Sequence, residues 1–217
     1  MTAGSALPLQ PGAGPARAQA VGIGLWVFIG VASALFSLLL LAFALRMNGS
    51  DWAPVAMPWQ SWLATASLVA GSLALQAAAR AAEAARPVQA LHWLLVGGAC
   101  AALFIGLQSW AWQALQAAHV LPAANPAAGF FYLLTAMHGL HVIGGLAGWA
   151  VTVPAARREA DRPSAASLGR LYQPASATWR IRLCARYWHF LLAVWLLLFG
   201  AMGWLSPDFV RLVCGTR

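Results

Sequence analysis

An all-α membrane protein, a bundle of five transmembrane helices, is the fold class this sequence predicts. Of the 217 residues, 61% are hydrophobic and only 8% charged, a balance that a water-soluble domain could not spread over its surface. Five apolar runs reach the roughly 20 residues needed to cross a hydrocarbon core. The charges fall between those runs: all thirteen cationic side chains are Arg, and the five acids (Asp51, Glu83, Glu159, Asp161, Asp208) lie outside the apolar segments.

Residues 1–20, rich in Ala, Gly and Pro, read as a disordered lead. The apolar run after them exceeds the length of a cleavable signal, so it is expected to remain as the first span, Val21 to Arg46. Asp51, Pro54 and Pro58 separate it from the second span, Trp59 to Ala79. Arg80, Glu83, Arg86 and Pro87 precede the third, Leu91 to Trp112, and Pro122, Asn125 and Pro126 precede the fourth, Gly129 to Val153. A long basic segment from Pro154 to Ala185 leads to the fifth, Arg186 to Leu205, so one transmembrane domain is expected over 21–210.

The N-terminus and the second and fourth gaps, with the residue closing the last, hold Arg17, Arg80, Arg86, Arg157, Arg158, Arg162, Arg170, Arg180, Arg182 and Arg186; the other side holds Arg46, Arg211 and Arg217. By the positive-inside rule this predicts a cytoplasmic N-terminus and a periplasmic C-terminus. Trp52, Trp59, Trp62, Trp110, Trp112, Trp188 and Trp204 lie near predicted span ends, as an aromatic belt would. The net charge of +8 punctuates apolar segments instead of clustering on a soluble module, which excludes nucleic acid as a partner. No internal repeat of the inverted-transporter kind is visible. Cys100, Cys184 and Cys214 are scattered and read as packing residues. Small residues are expected to let helices approach: Gly144 and Gly148 in the fourth span, and Ala66, Ala70, Gly71 and Ala74 in the second.

Polar side chains inside the spans are the first place to look for chemistry, because each is costly unless satisfied. They are His138, His141 and Thr135 in the fourth span, His189 in the fifth, Gln108 in the third, and Gln76 with several hydroxyls in the second. His138 and His141 are three residues apart and share one helix face. Imidazoles so spaced invite a metal or haem reading. Against it, the predicted spans put His189 and His141 roughly 10 to 15 Å apart in depth, and no acid lies in any span to act as a third ligand. The spacing therefore favours a buried, hydrogen-bonded His pair that fixes helix packing, with neither a metal nor a cofactor bound by this chain. The same lack of acids argues against a proton relay. His92 and His119 fall at boundaries and are expected to be solvated.

Two stretches carry a more specific signal. FFYLLTAMHGLHVIGG, Phe130 to Gly145, resembles a helix of subunit III of the haem-copper respiratory oxidases, F-Y-x-L-T-G-x-H-G-x-H-V-x-x-G. RYWHFLLAVWLLLF, Arg186 to Phe199, resembles that subunit's last helix, Y-W-H-F-x-D-x-x-W. LWVFIGVASALF (Leu25 to Phe36) and FIGLQSWAW (Phe104 to Trp112) resemble two further helices more loosely. The resemblance spans about residues 21–210 and matches a short five-helix form. It implies family packing residues at Gln108, Trp112, Tyr132, Thr135, His138, Gly139, His141, Gly145, Tyr187, Trp188, His189, Phe190 and Trp195.

The departures are all acids. Ala32, Ala111 and Leu192 stand where the family commonly has carboxylates, and Arg182 lies near a loop position that is often Glu. The resemblance implies a non-redox accessory subunit without catalytic residues. Haem and copper would sit in partner subunits I and II, with phospholipid as a bound group and a bacterial cytoplasmic membrane as the location. An accessory subunit of a nitric oxide reductase fits the same residues, and a membrane cytochrome b or small-solute transporter is a weaker alternative.

Overall fold

The computed structural model describes residues 13–161 and 176–204. Its elements are five α-helices: α1 (Ala13–Arg46), α2 (Gln60–Glu83), α3 (Pro87–Ala117), α4 (Pro126–Ala160) and α5 (Ser176–Trp204). Each contains a stretch long and apolar enough to cross a membrane. Residues 1–12 of the expected lead, and Cys214, lie outside the described residues.

The helices outrun the apolar segments that predicted them. α1 begins at Ala13, inside the stretch expected to be irregular. Pro87 and Pro126 start α3 and α4, because a proline at the first helical position gives up an N–H that has no helical partner anyway. Asn125 caps α4, its Oδ1 accepting from Ala128 N at 2.9 Å. α4 also runs through Pro154, at the cost of one helical hydrogen bond. With 35 residues it is roughly 52 Å long, well beyond a hydrocarbon core of about 30 Å, so its charged end projects past the bilayer. α5 starts ten residues before Arg186, which places Arg180, Arg182 and Arg186 on the helix. Arg182 is therefore not a loop residue; its Nε reaches Glu83 Oε1 at 3.2 Å.

α2 and α3 end in the same way. Ala85 N bonds to Ala82 O and Arg86 N to Ala81 O, with Ala85 at φ 54; His119 N bonds to Gln116 O and Val120 N to Leu115 O, with His119 at φ 59. Both are Schellman caps in which a residue other than glycine takes the left-handed position. His119 thus has a structural post at a helix end.

Packing is closest between α2 and α3. A Cβ on Gly71 would lie 3.0 Å from Cys100 Cβ, and one on Gly97 would meet Leu75. The seam of α2 runs through Ala64, Ser67, Gly71, Ala74, Leu75 and Ala78. Ala66 and Ala70, predicted to lie on it, face outward, because the buried stripe follows a different side of the helical period. The fourth-span expectation shifts similarly. Gly144 and Gly148 have open space where a Cβ would be, whereas Gly145 is wedged under Tyr187, Trp188 and Leu191 of α5. α1 leans on α4 and α5; Phe36 and Phe43 are its deepest large anchors.

Candidate functional site

The centre of the bundle is built around His138, which is fully buried. Phe104 of α3 meets its ring edge-on at 5.5 Å between centroids, Trp195 of α5 lies at 5.0 Å and Phe36 of α1 at 6.3 Å. Neither ring nitrogen has a hydrogen-bond partner. His141 behaves differently. Its Nδ1–H donates to Met137 O of its own helix at 2.7 Å, since a carbonyl can only accept. Its ring lies against Phe28 and Phe36 of α1. The expected hydrogen-bonded pair is therefore not formed: one imidazole is enclosed by aromatic rings and the other is held by its own backbone. The two rings share Phe36 as a neighbour, but the helix face is broad enough for His138 to turn to Phe104 and Trp195 while His141 turns to Phe28.

His189 is the fully satisfied histidine. Its Nε2–H donates to Gln76 Oε1 at 2.8 Å, which leaves Nδ1 to accept from Ser72 Oγ at 2.5 Å. This clamp ties α5 to α2. The predicted depth difference from His141 does not hold. His138 faces Trp195 and Gly145 faces Trp188, seven residues along each helix, so His141 falls opposite Leu192, only roughly 5 Å of helix rise from His189. Direction, and not depth, separates the histidines, since His189 turns to α2 and His141 to α1. Among the described residues no three His, Cys, Asp or Glu side chains converge as metal ligands would.

Around this centre, indole N–H groups stitch the helices together. Trp112 Nε1 donates to Thr135 Oγ1 at 3.0 Å, Trp195 Nε1 to Thr65 Oγ1 at 2.9 Å, and Trp149 Nε1 to Leu94 O at 2.8 Å. Tyr187 Oη donates to His141 O at 3.0 Å, and Tyr132 Oη to Val120 O at 3.0 Å. Trp188, expected in the interfacial belt, is buried because α5 begins well before it, and its Nε1 has no partner. Phe190 bridges the two largest hydrophobic clusters, and a Cβ added at Gly139 would lie 4.0 Å from Ile105 Cδ1. Sequence reading missed Thr65, Ser72 and Trp149. Thr65 and Ser72 were legible only as hydroxyls somewhere in the second span, and nothing in the sequence says which helix Trp149 faces.

Outside this core, a groove of about 610 Å³ runs between α1, α4 and α5. Leu25 and Phe28, Gly144 and Gly148, and Leu183 and Cys184 form apolar parts of its wall. Arg180 also lines it, with a buried Nε that has no partner and a guanidinium carbon 5.4 Å from the Trp179 ring centre.

No family model matches the sequence. A curated relative from Nocardia farcinica (strain IFM 10152), described as a probable cytochrome c oxidase subunit 3, is 30% identical over 171 residues, which is 77% of each chain. The chain belongs to the cytochrome c oxidase subunit III family. In this subunit III chain the two most specific motifs face each other. Gly145 of α4 receives Tyr187, Trp188 and Leu191 of α5, and Tyr187 closes back on His141. The acid-to-apolar positions are embedded too. Ala111 is fully buried and Ala32 nearly so, one turn from both Phe28 and Phe36, while Leu192 is half-buried. At these three sites the interior is closed by apolar side chains, with no carboxylate to satisfy.

Proposed function

We propose that this chain is a non-redox accessory subunit of a haem-copper terminal oxidase, one that packs against the catalytic subunit I and stabilises it, with subunit II in the same complex. The observation that carries the reading is the α4–α5 seam. The residues most specific to the family are spent on aromatic packing and helix-to-helix hydrogen bonds. Haem and copper belong, in this reading, to the partner subunits. The excess of Arg around the Glu83 end of the bundle supports a cytoplasmic N-terminus and a periplasmic C-terminus in a bacterial inner membrane.

The groove between α1, α4 and α5 supports a bound phospholipid as part of the same role. Its apolar wall suits an acyl chain, and the unpartnered Arg180 Nε supplies a donor for a phosphate. Such a lipid would fill the seam where α1 rests on the rest of the bundle.

Deleting the gene and purifying the oxidase tests the proposal. The expected outcome is an enzyme with unchanged haem content that assembles poorly or inactivates faster during turnover. An oxidase that assembles fully and lasts equally long without this chain refutes it. A stoichiometric Soret band from the isolated chain would also refute it, by making it a cytochrome.

A further inference from the structure

Among the described residues eight buried side-chain nitrogen and oxygen atoms lack a hydrogen-bond partner, and six belong to four residues: Gln60, Ser61, Gln108 and His138. None of the four is more than 5% exposed. The helix register brings them together. Across α2 and α3, Ser67 Oγ donates to Cys100 O, Gly71 faces Cys100 and Gly97, and Trp59 meets Trp110 edge-to-face at 5.1 Å between centroids. That antiparallel register sets Gln60 and Ser61 opposite Leu107 and Gln108. Gln108 lies one turn from Phe104, which touches the His138 ring, and one turn from Trp112, which bonds to Thr135. Its amide is thus bracketed between His138 on one side and the Trp112–Thr135 bond on the other.

We propose that these four side chains line an internal hydration site, a short file of water molecules that enters at the first turn of α2 beside Trp59 and ends on the His138 imidazole. The donor and acceptor inventory suits water. Gln108 offers two N–H donors and an acceptor oxygen, a neutral imidazole offers one donor and one acceptor, Ser61 offers both, and the Gln60 oxygen accepts. Buried polar atoms in protein interiors are satisfied by protein or by ordered water, each water taking two to four partners. Gln60 opens α2 next to the Trp59–Trp110 pair, so the file begins at the helix-end boundary. Beyond His138, one turn further along α4 and α5, come Val142 and Leu191, both fully buried and apolar, and the file stops there. The Trp195 indole beside it already bonds to Thr65, which leaves His138 as the terminal polar group. The site is independent of the oxidase reading, since it rests on orphaned polar atoms and helix register alone.

The experiment is water-edited solid-state NMR on the full chain in lipid bilayers, with ¹⁵N-labelled histidine. His138 is expected to receive polarisation from water, and to lose it in Gln108→Leu, while His189 and His141 keep their wild-type signals and report an intact bundle. Two results overturn the proposal. One is a His138 ring that receives no water polarisation in the wild type while exposed His92 does. The other is water transfer to His138 that survives both Gln108→Leu and Ser61→Ala unchanged. A direct amide pair between Gln60 and Gln108 with a dry His138 would appear as the first of these.

Discussion

Gly98 is the position where one added methyl group should do the most damage. A Cβ there would lie 2.7 Å from Trp149 Nε1 and closer still to two carbons of the same indole ring. The ring is rigid and its Nε1 already donates to Leu94 O of α3 at 2.8 Å, so it can only swing away and break that bond. Overpacking costs about 1–3 kcal/mol, and an indole N–H left without a partner about 1–3 kcal/mol more. Replacing glycine by alanine in a helix returns about 1 kcal/mol of propensity. The net loss for Gly98→Ala is therefore about 3 kcal/mol, a large share of the roughly 5–15 kcal/mol that holds a typical domain together. Thermal unfolding of the purified chain in mild detergent measures it. Gly106→Ala on the same helix, where no atom lies within 4 Å of the added Cβ, is the control and should be neutral or stabilising. Gly98→Ala combined with Trp149→Leu should be less damaging than the separate effects added together, because the second change removes the clash. If Gly98→Ala proves as stable as Gly106→Ala, the close α3–α4 approach described above is wrong.

Three further outcomes follow from named contacts. His189→Leu strands Ser72 and Gln76 at the α2–α5 seam and should cost about 1–3 kcal/mol for each group left unsatisfied; adding Ser72→Ala and Gln76→Leu should recover much of the loss in the same unfolding assay. Ala85→Gly relieves a left-handed alanine at φ 54 and should raise stability by about 1 kcal/mol; Ala84→Gly, at φ −78, should not. In the loop after α1, the hydrogen bond from Arg46 to Asp51 at 2.6 Å holds the Asp51 carboxyl below its ordinary value of 3.8. Its contribution to loop order is full above that value and fades as pH falls through the lowered one, which NMR of the loop should show. Arg46→Gln should move the fade to higher pH.

The number and order of the helices were legible because a bilayer demands long apolar runs, and length and composition are visible residue by residue. The two motif helices were legible for a related reason, since their pattern of His, Gly, Trp and Tyr lies within single segments. Helix ends were less so. Apolarity reports where hydrocarbon begins and ends, whereas backbone hydrogen bonding continues past it, as α4 does through Pro154 and α5 does from Ser176.

What the sequence by itself determined, then, is a five-span membrane protein of the subunit III kind. The partners of its polar residues required the tertiary structure. His138 and His141 share a helix face in sequence, yet one is enclosed by Phe104 and Trp195 while the other bonds to Met137 O. His189 finds Ser72 and Gln76 more than a hundred residues away, and Gly145, not Gly144 or Gly148, is the glycine that α5 presses on. Such choices depend on the rotation and register of one helix against another. They are set by packing among all five helices together, and no periodicity within one span encodes them.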